Sequence, residues 1–458
     1  MYAEVAEKIY VYEPTQAMLE WCRIALVVDN PEYEKKIRMG LWVGSTPRRF
    51  YLYEKTDKYI AIPFGCIHRI HEAFPDMSMR SCIQAQERVN YNNRIKLYEY
   101  QKNAVQAILE RKNGVLVMPC GAGKTQTGLE VISQIGMKVL WLTHTQDLLN
   151  QSMNRAKAVL GVDPKSYGTI TGGKIDIGSS ITFATVQTAS KIDLTPYKNE
   201  FGVIVVDECH RAVGTPTKAM QFYKVLSNLS CRYKIGLTAT PKRSDGMSRT
   251  MFSLIGDVVY EVLRSEVVNT TCPVEVKQIE TGYVPNADVI LCGDGTINYS
   301  GLVEDLTHNE KRFNAVRDEI NKHKCMLVLG NRVEYLKRLS DAYTGTSTCL
   351  SALGNSKAAK NQRKEALRML NTGELDTVFA TYQLAKEGID VPNLRYVVFA
   401  TPEKDEATVT QAAGRVARRS DWKEKGVVID FVDKFGMLIG WSKRREKIYE
   451  KKLGFTIV

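Results

Sequence analysis

The stretch that most restricts the fold is NGVLVMPCGAGKTQTG, residues 113–128. Its apolar run Val115-Leu116-Val117-Met118 stops at Pro119, a glycine-broken turn follows, and helical spacing resumes through Leu129, Val131 and Ile132. In such a strand, loop and helix, Gly121 and Gly123 present no side chain on either side of Ala122. Backbone N–H groups can therefore close around phosphate oxygens at a helix N-terminus, where the dipole also favours an anion. Lys124 would reach the β and γ phosphates, and the Thr125 hydroxyl would ligate Mg²⁺. The general phosphate-loop pattern places glycine five residues before Gly123, where this chain has Met118. Taken alone, the stretch also fits a glycine-rich turn with a chance Gly-Lys-Thr.

A second buried-strand run, Phe201-Gly202-Val203-Ile204-Val205-Val206, ends in Asp207-Glu208-Cys209-His210. Acidic residues at the tip of a parallel strand beside a phosphate loop suit a second Mg²⁺ contact, Asp207, and a water-orienting carboxylate, Glu208. Two coincident motifs are harder to attribute to chance than one.

Four segments, PCGAGKT (119–125), DECH (207–210), LTATP (237–241) and QAAGRVAR (411–418), occur in this order. Together they resemble the DExH-type ATP-dependent helicases and translocases of superfamily 2, over roughly residues 94–435. Phosphate loops of that family commonly replace the first glycine, so Met118 is compatible with the match. Lys242-Arg243-Ser244-Asp245-Gly246 is similar to the XPB-like and UvsW-like branch rather than to DEAD-box RNA helicases, which tilts the substrate towards DNA.

The resemblance implies an α/β protein with two RecA-like parallel-sheet domains in tandem, and the residues before them read as a small α+β accessory domain. The expected divisions are 1–90 for the accessory domain, 91–262 for the ATP-binding domain, 263–310 for a linker with a small insertion, and 311–458 for the second domain. ATP and Mg²⁺ are the implied cofactors, held in the cleft between the two sheets. Gln101, with Tyr100 before it, falls where the family reads adenine, an amide offering both a donor and an acceptor. In many relatives an arginine follows the leucine; here that place is taken by Tyr98. Gly388, Asp390 and Gln411 fall at family positions near ribose and phosphate. Thr143, Thr185, Gln187 and Thr381 fall at its strand-binding positions, where hydroxyls at the ends of parallel strands suit phosphate contacts. Helix capping explains Thr143 and Thr185 equally well. Thr238 and Thr240 are expected to bridge to the carboxylates of the DECH segment.

Arg415 and Arg418 are three residues apart, so on a helix they share a face and can approach one phosphate. Guanidiniums facing a transferring phosphoryl act as arginine fingers. A solvated basic helix is the bland alternative, since Arg419 and Lys423 are nearby.

Elsewhere the reading is coarser. Residues 48–63 read as two β-rich strands around a polar turn, in which aromatic residues beside Arg48, Arg49, Lys55 and Lys58 either grip nucleic acid or pack on their own helix. Residues 441–452 read as a basic amphipathic helix that either touches DNA phosphates or presents a solvated face packed by Trp441, Ile448 and Tyr449. With 63 Lys+Arg against 51 Asp+Glu, the net charge of +12 permits a polyanionic partner, although solvated charge alone would produce it. Ten scattered cysteines contain no CxxC pair, which argues against structural zinc and a disulfide framework. No run approaches the roughly 18 apolar residues of a membrane span, and no secretory signal is visible, so a cytoplasmic setting is expected, in a bacterial or phage-infected cell by resemblance. The expected partner is duplex, branched or single-stranded DNA, with RNA less favoured and no membrane. The chain is expected to act as a monomer, with room for replisome or recombination partners. Alternatives are an RNA helicase, an ATP-gated nucleic-acid clamp without unwinding, and a phosphate-loop kinase or small-molecule NTPase.

Overall fold

Apolar runs buried on both faces build two parallel sheets in the computed structural model, which describes residues 1–119, 121–210, 216–241, 247–270, 272–292, 296–354, 356–386, 391–420 and 422–458. Residues Met1–Pro119 and Gly123–Leu263 form one compact unit, and Arg264–Val458 belong to a second.

The first unit opens with β1 (Tyr2–Val5), β2 (Lys8–Tyr12), β3 (Val27–Asp29), β4 (Arg49–Tyr51), β5 (Glu54–Lys55), β6 (Tyr59–Pro63) and β7 (Ser78–Ser81). Among the described residues these form a sheet in the order β5-β6-β2-β1-β7, with β3 and β4 as a separate pair. The expected pairing across residues 48–63 is therefore divided. Arg49–Tyr51 pairs with β3, and only Glu54–Lys55 folds back on β6. The cause is apolar register. Ile60 and Ile62 are fully buried, whereas Tyr51 is 64% exposed and Leu52 carries the burial of its segment.

This small α+β element shares its core with the larger sheet of the same unit. Val5, Ile9, Val11 and Ile62 lie in the same apolar cluster as Val115, Val117, Leu140 and Val206. Between them, the buried Lys234 ammonium donates to the carbonyls of Leu226 (2.6 Å) and Glu7 (3.4 Å) and lies 4.8 Å from the Phe64 ring centre. Burial pushes its pKa down.

The larger sheet comprises β8 (Asn113–Val117), β9 (Val139–Thr143), β10 (Tyr167–Thr171), β11 (Lys174–Asp176), β12 (Ile181–Thr185), β13 (Val203–Asp207), β14 (Tyr233–Thr238) and β15 (Val258–Glu261). Their order is β11-β10-β12-β9-β13-β14-β8-β15, parallel apart from β11. Alternate residues serve opposite faces: Leu140 and Leu142 enter the cluster shared with the N-terminal sheet, while Val139 and Trp141 enter the other. Both faces being covered explains why these strands read as unbroken apolar runs. Helix Lys124–Ile135 lies so close to the sheet that a Cβ at Gly128 would sit 2.7 Å from Leu237 and 3.0 Å from Trp141.

The second unit holds β16 (Val274–Glu280), β17 (Met326–Gly330), β18 (Ser347–Cys349), β19 (Thr377–Thr381), β20 (Tyr396–Phe399), β21 (Gly426–Val432) and β22 (Thr456–Ile457). All run parallel in the order β18-β19-β17-β20-β21-β16-β22. Strand β16 falls inside the stretch expected as linker. Its partner β21 lies far along the chain, so its sequence, half polar in VEVKQIE, carries no local sign of the pairing. The stretch also contains helix Tyr299–His308, whose Leu302 and Leu306 cluster with Leu438 of helix Gly436–Lys447.

That C-terminal helix departs from a simple solvated basic face. Arg445 is 1% exposed and pairs with Asp430 on β21 at 2.9 Å. A second buried pair, Arg312 with Asp433 at 2.9 Å, is supported by Tyr335 Oη, the Ala400 carbonyl and Thr281. Removing one partner strands the other as a buried charge, so Arg312→Met is expected to destabilise the second unit by about 3–5 kcal/mol. Urea unfolding followed by fluorescence checks this, and an unchanged midpoint would contradict it.

Candidate functional site

The parallel arrangement brings the C-terminal ends of β8, β9, β12, β13 and β14 to one edge, the position where open α/β sheets bind ligands. Thr143 and Thr185 are cross-strand partners there; Asp207 pairs with Leu237, and Thr238 with Val117. The glycine loop after β8 lies at the same edge. Gly121 and Gly123 have φ of +85° and +77°, values that side chains with a Cβ resist, and Ala122 stands between them. Gly123 opens the helix whose first two residues are Lys124 and Thr125. The N-terminus of such a helix is a place where backbone N–H groups and the helix dipole favour an anion.

Asp207 and Glu208 meet this loop from the next strand but one. The Lys124 ammonium lies 3.4 Å from Glu208 Oε1. Glu208 adopts φ +50°, an uncommon backbone for a residue with a side chain, and its N–H donates to Asp207 Oδ1 at 3.0 Å. Asp207 is 4% exposed and accepts from the Ser152 hydroxyl at 3.2 Å. Burial, then the Glu208 charge, raise the Asp207 pKa to about 6, against the opposing pull of Lys124. A carboxylate so placed gains from a cation.

The expected bridge from the LTATP segment runs through a different group. Thr238 Oγ1 is 2.9 Å from His210 Nδ1, rather than reaching a carboxylate, and that same nitrogen is 3.3 Å from Glu208 Oε2. Thr238 Oγ1 also accepts the Thr240 N–H at 3.1 Å. His210 therefore links β14 to the acidic pair.

Gln101 is buried on helix Glu99–Arg111, where its Oε1 accepts the Tyr98 N–H at 3.0 Å in a capping arrangement. Its Nε2 lies so near Gly123 that a Cβ there would come within 2.5 Å. Tyr100 is buried and stacks on Tyr98 with ring centres 5.8 Å apart. Thr143 is fully buried and donates to the Thr145 carbonyl at 3.1 Å, whereas Thr145 is the residue that caps helix Gln146–Val159. Thr185 precedes a short helix without a side-chain capping bond and meets Thr188 at 2.9 Å. Gln187 Nε2 lies 3.0 Å from His144 Nδ1.

In the second unit, Thr381 ends β19; its N–H donates to Ser351 Oγ at 2.7 Å and its Oγ1 accepts the Leu384 N–H at 3.3 Å. Gln411 is half-buried on helix Glu406–Ala413. Arg415 and Arg418 do not ride on that helix. Gly414–Ala417 form a 3₁₀ turn and Arg418 is extended, so the chain tightens where a continuing helical face was expected. Arg415 Nη2 donates to the Ala385 carbonyl. Gly388, Asp390, Cys120 and Lys242–Gly246 lie outside the described residues. Ser152 lies outside the sequence motifs, and His210 lies within the DECH segment without a role that the motif assigns it. Ser152 had a legible sign, a hydroxyl in the buried row with Leu149 and Ala156.

Residues 94–243 match the family model described as "Type III restriction enzyme, res subunit", and residues 311–420 match "Helicase conserved C-terminal domain". With the two parallel sheets, these matches define a superfamily 2 helicase-type ATPase core. The chain is 26% identical to the DNA 3'-5' translocase XPB2 of Sulfurisphaera tokodaii, over 78% of this chain and 85% of that protein. It is 23% identical to the putative ATP-dependent RNA helicase L396 of Acanthamoeba polyphaga mimivirus, over 84% and 73% respectively. In fold it is similar to S. cerevisiae Dbp5 bound to RNA and ADP BeF3, with a TM-score of 0.56, 16% identity, and coverage of 79% of this chain and 90% of that one. No helix among the described residues is long and apolar enough to cross a membrane.

Because the folded-state pKa of Asp207 lies near 6 and its ordinary value is 3.8, the folded protein holds this proton more tightly than the unfolded chain. Stability is then lost as pH rises from about 4 through 6. Asp207→Asn is expected to stabilise the nucleotide-free protein at pH 7 by on the order of 1–3 kcal/mol, with the gain vanishing near pH 4. Denaturant titrations at both pH values measure the difference; an equal effect at each would contradict it.

Proposed function

We propose that this chain is an ATP-dependent DNA translocase or helicase that couples ATP hydrolysis to movement along duplex or branched DNA. The observation that carries the reading is the meeting of Lys124, Glu208 and Asp207 at the end of the glycine loop, with Lys124 3.4 Å from Glu208. On phosphate binding, Lys124 exchanges this carboxylate for β and γ oxygens, and Glu208 is released to orient a water and accept its proton. Asp207 and Thr125 would hold Mg²⁺, whose chemistry there would be to neutralise charge on the phosphate oxygens. Gln101 and Tyr100 attend the base, Gly388, Asp390 and Gln411 the ribose and phosphates, and Arg415 and Arg418 act as arginine fingers. Loss of the terminal phosphoryl removes the anion that attracts both arginines, and this change in attraction drives the change of grip on the polynucleotide. Thr143, Thr185, Gln187 and Thr381 supply that grip at strand ends.

DNA is favoured because the XPB2 relative is named as a DNA translocase and because Lys242-Arg243-Ser244-Asp245-Gly246 is similar to the XPB-like and UvsW-like branch. RNA is the competing substrate, supported by the name of the mimiviral relative. ATPase stimulation across duplex DNA, single-stranded DNA, branched DNA and RNA tests the reading, with the greatest stimulation expected from duplex or branched DNA. A rate indifferent to every polynucleotide would refute it. Lys124→Ala is expected to reduce stimulated turnover to background. Displacement of a strand or of a third strand separates a motor from an ATP-gated clamp, which produces neither. DNA affinity is expected to fall steeply with salt, since phosphate contacts release counterions; a flat response in fluorescence anisotropy would contradict backbone tracking.

A further inference from the structure

The turn that bears the two arginines is held from outside its own helix. Its last carbonyls, on Val416 and Ala417, belong to a 3₁₀ turn that ends at Arg418, so they need donors from elsewhere. The Val416 carbonyl accepts from Lys423 Nζ at 3.0 Å and from the Cys272 thiol at 3.0 Å. The Ala417 carbonyl accepts the Cys272 N–H at 3.0 Å. Lys423 Nζ reaches further, to the Leu394 carbonyl at 2.7 Å, two residues before β20. One half-buried ammonium thus joins the arginine turn to the segment that leads into β20.

The placement has an electrostatic side. Burial pushes the Lys423 pKa down, as does the nearby Arg418 guanidinium, while the Cys272 and Cys325 thiols act in the opposite sense. Lys423 is therefore a neighbour of Arg418 as well as a tether for the turn between the two arginines.

We propose that Lys423 is a positioning residue for ATP hydrolysis, fixing the Gly414–Ala417 turn so that Arg415 and Arg418 meet the transferring phosphoryl in register. Cys272 is the second anchor of the same clamp. The inference rests on the arginine-finger reading above. It adds residues outside the QAAGRVAR segment, one of them from the stretch that reads as linker.

The test uses the full chain and DNA-stimulated ATPase over an ATP titration, for wild type, Lys423→Met, Arg418→Ala and the double variant. Methionine keeps the aliphatic stem and removes the donor. Misplacing a reacting group by about 1 Å can cost on the order of a hundredfold in rate, so Lys423→Met is expected to lower kcat by roughly three- to a hundredfold. The KM for ATP is expected to stay within about twofold, because the clamp acts on the hydrolytic step. In the double variant the two losses are expected not to multiply: it turns over like Arg418→Ala alone. Multiplying losses, or an unchanged kcat in Lys423→Met, would overturn the positioning role. Should Lys423→Met fail to fold, Cys272→Ala, which keeps the backbone donor, carries the same cycle with a smaller expected loss, and independence from Arg418 overturns the proposal equally. Wild-type turnover in Arg418→Ala would instead overturn the finger assignment itself.

Discussion

The contact between the Lys124 ammonium and Glu208 organises the site of the first unit. Neither residue is placed by its own side chain. Lys124 stands where two glycines at positive φ turn β8 into a helix, and Glu208 stands where the backbone itself takes φ +50°. Both conformations are uncommon, and strained positions persist when their surroundings over-determine them. Here the surroundings are a parallel sheet buried on both faces, Ser152 and the Glu208 N–H on the Asp207 carboxylate, and His210 between Glu208 and Thr238. The result is a carboxylate pair and a lysine brought together with little freedom, a setting in which a phosphate can replace one partner of an existing ion pair.

The N-terminal sheet contributes to that rigidity from behind. Its apolar residues enter the cluster that covers one face of the large sheet, and the Lys234 ammonium, buried on β14, takes carbonyls from Glu7 and Leu226. A lysine in such a place loses hydration, and its two carbonyl contacts with a nearby aromatic face offset part of the loss. Strand β14 ends in Thr238, so the element that supports this accessory sheet also carries a hydroxyl of the site. Meanwhile the region 30–51 turns outward: Trp42 is 88% exposed and Leu41 53%. Exposed aromatic and basic residues there remain available for contact, whereas Ile60 and Ile62 of β6 are spent on the core.

The second unit solves a different problem with buried charge. Asp430 and Asp433, on or just beyond β21, each hold a buried arginine, Arg445 from the C-terminal helix and Arg312 from helix Glu310–Ile320. Such pairs add little net stability compared with apolar packing, but they are intolerant of any alternative register, since a shifted strand would leave a charge unpaired. They pin helices to the strand that neighbours β20, and Lys423 pins the arginine turn to the approach of β20. The arginines thus stand on a framework whose register is set by charge as well as by shape.

Most strands of the two parallel sheets were legible as apolar runs in the local pattern, whereas their order in each sheet was not. Continuous apolar runs are what a parallel sheet covered on both faces requires. Where the sequence misled or was silent, the deciding partner was remote. Val274–Glu280 became a strand because of Gly426–Val432, residues 48–63 divided because burial favoured Ile60 and Ile62 over the aromatic run, and Arg418 left the helix where the turn tightened. Side-chain roles such as Ser152 on Asp207, His210 between Glu208 and Thr238, and Lys423 on Val416 belong to the same class. A periodicity records which face a residue presents; the atom it meets on that face is fixed by the other elements that pack there, and those come together only when the chain has closed.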